Sequence, residues 1–111
     1  MRYKRYWVYN FMEADEMRNL GTEEHPERLE HYSFERYSDG TYALEVQVGW
    51  PGGYGHYDGA GNSFELPAEW FSLSWEEFLD RLTEKYPARD YGYSKAELIG
   101  MDGLKEFLGF K

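Results

Sequence analysis

The chain contains no cysteine, which excludes disulfides, thiolate zinc sites and a cysteine nucleophile together. Long apolar runs are missing as well. The basic start Met1-Arg2-Tyr3-Lys4-Arg5 leads only into Trp7-Val8-Tyr9 before polar Asn10. A secretory segment needs roughly 7–15 apolar residues and a spanning helix about 20. No leader and no membrane contact are therefore expected, and the expected compartment is the cytoplasm. Cations are scarce: 12 Lys plus Arg face 21 Asp plus Glu, for a formal charge of -9. A surface of that sign repels phosphate backbones, so direct nucleic-acid binding is not expected.

Aromatic side chains, by contrast, are abundant. Four Trp, 11 Tyr and 7 Phe in 111 residues supply the large apolar surface that disordered chains lack. That length fits one domain, residues 1–111.

Residues 3–11 read as a strand, with Tyr3, Trp7, Tyr9 and Phe11 on one side and Lys4, Tyr6, Val8 and Asn10 on the other. Over residues 12–21, Ala14, Met17 and Leu20 share a helical stripe that Gly21 would stop in a left-handed conformation. Residues 22–28 read as loop. The clearest β signal is the pair of runs 29–37 and 42–50. In the second, Tyr42, Leu44, Val46, Val48 and Trp50 alternate with Ala43, Glu45, Gln47 and Gly49. A two-residue Asp39-Gly40 turn would put Glu35 beside Leu44 and waste the apolar match. A three-residue loop, Ser38-Asp39-Gly40, pairs Phe34 with Leu44 and Tyr32 with Val46, with Gly40 left-handed in a bulge. Six Gly and one Pro across residues 49–63 argue against a regular element there, with a short edge strand returning at Ser63-Phe64-Glu65-Leu66.

Helix signals begin after Pro67. Ser74 with Glu77 and Ser94 with Glu97 are capping boxes. Trp75, Phe78, Leu79, Leu82 and Tyr86 recur at helical spacing until Pro87; Gly100 ends the second helix, and Asp102 can cap a last turn carrying Leu104, Phe107 and Leu108. The expected fold class is α+β: a small antiparallel sheet of three to four strands covered on one face by C-terminal helices.

Few residues announce catalysis. Gly53-Tyr54-Gly55-His56-Tyr57-Asp58-Gly59 has Asp58 where a dinucleotide loop has its third glycine, and it carries no Lys for a phosphate loop. His56 and Asp58 could share a metal, but no further ligand follows at a zinc spacing; no metal and no cofactor are expected. Neither Gly-x-Ser-x-Gly nor another nucleophile arrangement is present. An enzyme is not the expected reading.

The charge pattern says more. Residues 13–30 hold seven acids against Arg18 and Arg28. Further on, Glu76, Asp80 and Glu84 recur every fourth residue and form one exposed carboxylate stripe on the 74–86 helix. Such a stripe either solvates the domain or meets a cationic partner quickly and selectively. In size, negative charge, lack of Cys and aromatic richness, the whole chain resembles small acidic bacterial and phage inhibitors, namely immunity proteins of toxin–immunity pairs and anti-CRISPR proteins that mimic DNA. The likeness implies a protein partner and no catalysis, and it transfers no residue role. The expected function is a non-enzymatic inhibitor that covers a basic, nucleic-acid-binding surface of a nuclease or CRISPR effector. Glu76, Asp80 and Glu84 are its candidate electrostatic edge, and Trp50, Tyr54 and Tyr57 its candidate aromatic anchors. The alternative is a small enzyme or ligand-binding module that uses the 49–63 loop as a lid, with His56 as acid or base. Either a monomer or a homodimer paired through the Tyr-rich N-terminal strand fits the sequence.

Overall fold

In the computed structural model, which describes residues 2–10, 18–52 and 57–111 (the backbone alone at 57 and 58), the hairpin at Ser38-Asp39-Gly40 closes as its apolar faces require. Phe34 pairs with Leu44 and Tyr32 with Val46. The Tyr37 N–H donates to the Thr41 carbonyl at 2.9 Å and the Gly40 N–H to the Tyr37 carbonyl at 3.0 Å. Gly40 takes φ +88°.

Five antiparallel strands form one sheet: β1 (Tyr3–Asn10), β2 (Arg18–Gly21), β3 (Pro26–Tyr37), β4 (Tyr42–Pro51) and β5 (Tyr57–Glu65). Their order is β1-β3-β4-β5, with β2 also paired to β3. The twelve-residue β3 has room for both partners along one side: β1 pairs with its C-terminal part from His31 to Tyr37 and β2 with Pro26–Leu29. Two bulges keep the apolar sets together. Register shifts between Leu29 and His31 in β3 and between Trp7 and Tyr9 in β1. Leu29 and Tyr32, three residues apart, therefore face the same side, as do Tyr6 and Tyr9, where strict alternation would turn one of each pair outward.

The α+β class stands, with five strands where three to four were expected, and further details of the sequence reading are corrected. Residues 18–21 extend as β2 where a helix end was expected, so Gly21, at φ +73°, leads into a hairpin turn. The turn is held by the Thr22 N–H on the His25 carbonyl (3.2 Å) and the His25 N–H on Thr22 Oγ1 (3.1 Å). β3 begins at Pro26, inside the expected loop. The glycine-rich stretch is largely sheet, since β4 runs to Pro51 and β5 covers Tyr57–Glu65. Residues 12–17 of the expected helix lie outside the described residues.

The helices lie on one face. A 3-10 turn over Ala68–Ser72 leads into α1 (Trp75–Lys85), followed by α2 (Ala88–Tyr91), α3 (Lys95–Ile99) and α4 (Leu104–Phe107). Ser74 accepts the Glu77 N–H, and Ser94 and Glu97 form a complete capping box. Gly103, in place of Asp102, is the N-cap of α4. Leu29, Tyr32, Phe34, Leu44 and Val46 of the sheet share one buried cluster with Phe78, Leu79, Leu82, Tyr86, Leu98, Leu104 and Leu108. Arg18 fastens β2 to the helical layer: Nη1 donates to Glu97 Oε2 at 2.6 Å and to the Gly92 carbonyl, and its guanidinium lies 4.1 Å from the Tyr93 ring centroid. No helix among the described residues is long and apolar enough to cross a membrane.

Candidate functional site

The carboxylate stripe lies where helical spacing puts it. With Phe78, Leu79 and Leu82 turned into the core, Glu76, Asp80 and Glu84 are left exposed on the outer face of α1. Lys95 Nζ engages Asp80 Oδ1 at 2.8 Å. Glu76 and Glu84 form no salt bridge among the described residues.

Of the candidate aromatic anchors, Trp50 and the backbone of Tyr57 are described, and they lie elsewhere. Trp50 is half-buried near the end of β4 and lines an open cleft of about 490 Å³ with Glu24, His25, Pro26, Glu27 and Pro51. The backbone of Tyr57 pairs with Pro51 beside it; Tyr54 and His56 lie outside the described residues. α1 meets the sheet through Tyr86, whose ring is 4.7 Å from that of Phe64, the partner of Leu44. Trp50 is six residues further along β4, about 20 Å at strand rise. The stripe and the Trp50–Tyr57 end are thus two separate surfaces.

The helix-free face of the sheet holds a charged cluster that the sequence reading passed over. Alternation turns Arg5, Trp7, His31, Ser33, Glu35, Tyr37 and Glu45 to this side, and the register sets Arg5 beside Glu35, and Ser33 between Trp7 and Glu45. Arg5 Nη2 lies 3.0 Å from Glu45 Oε2 and 3.6 Å from Glu35 Oε2. His31 Nε2 meets Glu45 Oε1 at 2.9 Å, and the Tyr37 hydroxyl donates to Glu35 Oε2 at 3.0 Å. Trp7 covers the cluster, 4.6 Å from the Arg5 guanidinium and 5.4 Å edge-on from the His31 ring.

Beneath these side chains Glu35 is only 3% exposed. Burial, followed by its hydrogen bond with Glu45, pushes the Glu35 carboxyl above the usual range, against the Tyr37 hydrogen bond and the Arg5 charge. The same bond, with His31 and Arg5, outweighs burial and holds Glu45 below it. Both carboxyls approach the Arg5 guanidinium, and the Glu45 charge adds to burial in raising Glu35. The arrangement ties β1, β3 and β4 together. Three buried polar atoms, Arg5 Nε, Ser33 Oγ and Glu35 Oε1, find no hydrogen-bond partner among the described residues. No group of three or more His, Cys, Asp or Glu among the described residues is placed to hold a metal ion.

The linkage has a definite sign. Because the folded-state value of Glu35 is raised, its penalty is absent at low pH and grows as pH climbs from the ordinary glutamate range through that raised value. Glu45 acts oppositely, and its contribution is lost as pH falls through its lowered value. Glu35→Gln keeps an acceptor for Tyr37 and removes the ionisation. The stability of Glu35→Gln relative to wild type, from urea midpoints between about pH 4 and pH 8, should rise with pH and then level off. A difference that stays flat would show that Glu35 ionises without cost.

No protein family, no curated protein and no solved structure matches this chain.

Proposed function

We propose that this protein is a non-enzymatic acidic inhibitor that covers the basic, nucleic-acid-binding surface of a protein partner, a nuclease or CRISPR effector, in the manner of immunity proteins and DNA-mimic anti-CRISPR proteins. On this reading it works in the cytoplasm, and its carboxylates stand in for phosphates. The observation behind it is how the cations are used. Arg5 is taken up by Glu35 and Glu45, Arg18 by Glu97 and Lys95 by Asp80. Arg36 and Lys85 lie against Phe107 and Trp70. Five of the twelve positive side chains are thus engaged within the fold, and of the others only Arg81 lies on α1, where Glu76, Glu77 and Glu84 stay exposed. A surface with surplus negative charge speeds encounter with a positive patch, and that advantage falls with added salt.

The test uses Glu76→Lys/Glu84→Lys, which spares the Asp80–Lys95 bridge. A basic protein captured on the immobilised chain is assayed for nucleic-acid cleavage or binding with and without the chain. Wild type should inhibit, and its association should slow steeply with salt. The charge-reversed chain, shown by circular dichroism to be folded, should associate about 10–100-fold more slowly at low salt. Equal association rates for both chains would refute the proposal.

A further inference from the structure

Among the described residues, the sheet ends on one side in a strand without a bulge, a proline or a lysine. β5 is the last strand in the order, spans nine residues and pairs with β4 from Glu65 to Tyr57 without a register shift. It contains no Lys, Arg or Pro. The opposite edge strand, β1, carries Lys4, Arg5 and a bulge. Long, regular edges without a bulge, proline or lysine are the ones that accept another strand.

The direction of the free backbone groups follows from the ladder. The Leu66 N–H donates to the Tyr42 carbonyl at 2.9 Å. Antiparallel alternation then turns Phe64, Asn62 and Ala60 toward β4, and Glu65, Ser63, Gly61 and Gly59 outward. Gly59 and Gly61 have no side chain to obstruct an approaching backbone, and Ser63 is small and exposed. Beside this edge, on the helix-free face, Tyr37, Asp39, Thr41, Ala43, Ser63 and Glu65 line a cleft of about 340 Å³. Its two charged residues are both acids, and Asp39 is held in place by the Thr41 N–H (3.0 Å) and hydroxyl (2.7 Å).

We propose that β5 is the docking edge for an extended segment of the basic protein partner, which adds to the sheet as a further strand and lays a Lys or Arg side chain into the cleft lined by Asp39 and Glu65. The inference rests on the proposed function for the partner's charge and adds the surface and the mode of contact. Backbone pairing supplies affinity, and the acidic cleft selects the side chain. A second copy of this chain is a poorer occupant. Antiparallel self-pairing would set two chains of net charge -9 edge to edge and, because β5 holds no Lys or Arg, would bring no cation to the cleft.

The experiment measures binding of the full chain to three synthetic peptides about eight residues long, an ordinary strand length. One alternates Lys and Val, one alternates Glu and Val, and one is the Lys/Val peptide N-methylated at alternate amides. Two variants accompany wild type. Gly61→Pro removes an outward N–H without touching the ladder to β4, and Gly61→Ala keeps it, with only Gln47 atoms at 4.0 Å from the new carbon. The Lys/Val peptide should bind wild type and Gly61→Ala within about twofold of each other, weaken about threefold or more on Gly61→Pro, which removes one hydrogen bond, and weaken about tenfold or more on N-methylation, which removes two or more. If Gly61→Pro does not fold, the N-methylated peptide decides alone.

Equal binding of plain and N-methylated peptides, or of Lys/Val and Glu/Val peptides, would overturn the proposal, as would absence of Lys/Val binding. A wild-type dimer that Gly61→Pro dissolves would also overturn it by giving the edge to a second copy. The failures are distinguishable. The inhibitor reading is judged on Glu76→Lys/Glu84→Lys and on nucleic-acid competition, and it survives if the edge proves unused.

Discussion

Phe78→Ala is expected to cost about 3–5 kcal/mol, the usual range for removing a buried Phe ring. Phe78 is fully buried on the inner face of α1. Four other rings meet it, with centroids at 6.3 Å (Trp70), 5.0 Å (Phe71), 5.9 Å (Trp75) and 4.9 Å (Phe110). Those rings come from the 3-10 turn, the start of α1 and the C-terminal end, so the void cannot be filled by one side chain relaxing. Against a total stability of roughly 5–15 kcal/mol, such a loss is a large fraction. Thermal unfolding followed by near-ultraviolet circular dichroism would check it, since these indole and phenyl groups supply much of that signal. A loss below about 1 kcal/mol would mean that the rings close over the gap.

Gly92→Ala should be the other severe change, at about 2–5 kcal/mol. Two penalties coincide there. Gly92 closes α2 at φ +106°, a conformation that costs a non-glycine residue roughly 1–2 kcal/mol. Its new Cβ would also stand 2.8 Å from Leu29 Cδ2, with Leu29 fully buried in β3. Forcing extra volume into packed surroundings adds about 1–3 kcal/mol. Gly40→Ala is the internal control, because Gly40 has φ +88° but nothing within 4 Å of the added carbon. Urea midpoints for the two variants should differ by the steric part alone. Equal losses would show that Leu29 moves aside freely.

Where faces are one-sided, the fold is legible in the residues. Only one loop length matches Phe34 to Leu44 and Tyr32 to Val46, so the β3–β4 register follows from patterning. Ser74 and Ser94 likewise mark helix starts through bonds made within a single turn. The reading of residues 18–21 fails for a specific reason. A left-handed glycine after an apolar residue terminates a helix or enters a hairpin, and Leu20 next to Gly21 is compatible with both. What settles it is Arg18 reaching Glu97 and Gly92, more than 70 residues away.

The glycines of β5 mislead differently. Gly59 sits in a regular strand because a Cβ there would stand 3.1 Å from the Val48 carbonyl oxygen; it serves close approach, not irregularity. The Glu35–Glu45 cluster escapes notice because Ser33, Glu35 and Glu45 read as a solvated face until Arg5 and Trp7 of β1 are laid over them. Nothing local to 33–45 announces that covering. The stripe on α1 was legible from spacing, but its separation from Trp50 depends on where α1 lies on the sheet.

One contact bears on the order of assembly. The Tyr6 hydroxyl donates to the Asp102 carbonyl, and the Tyr6 ring lies 5.8 Å from that of Phe107. This joins the first strand to the last helix across 96 positions. Bringing such distant segments together carries the entropic cost of closing a very long loop, so the contact is favourable only after the intervening chain has condensed. It is therefore a latch that forms late and contributes mainly to slowing unfolding, with little influence on how fast the chain first collapses.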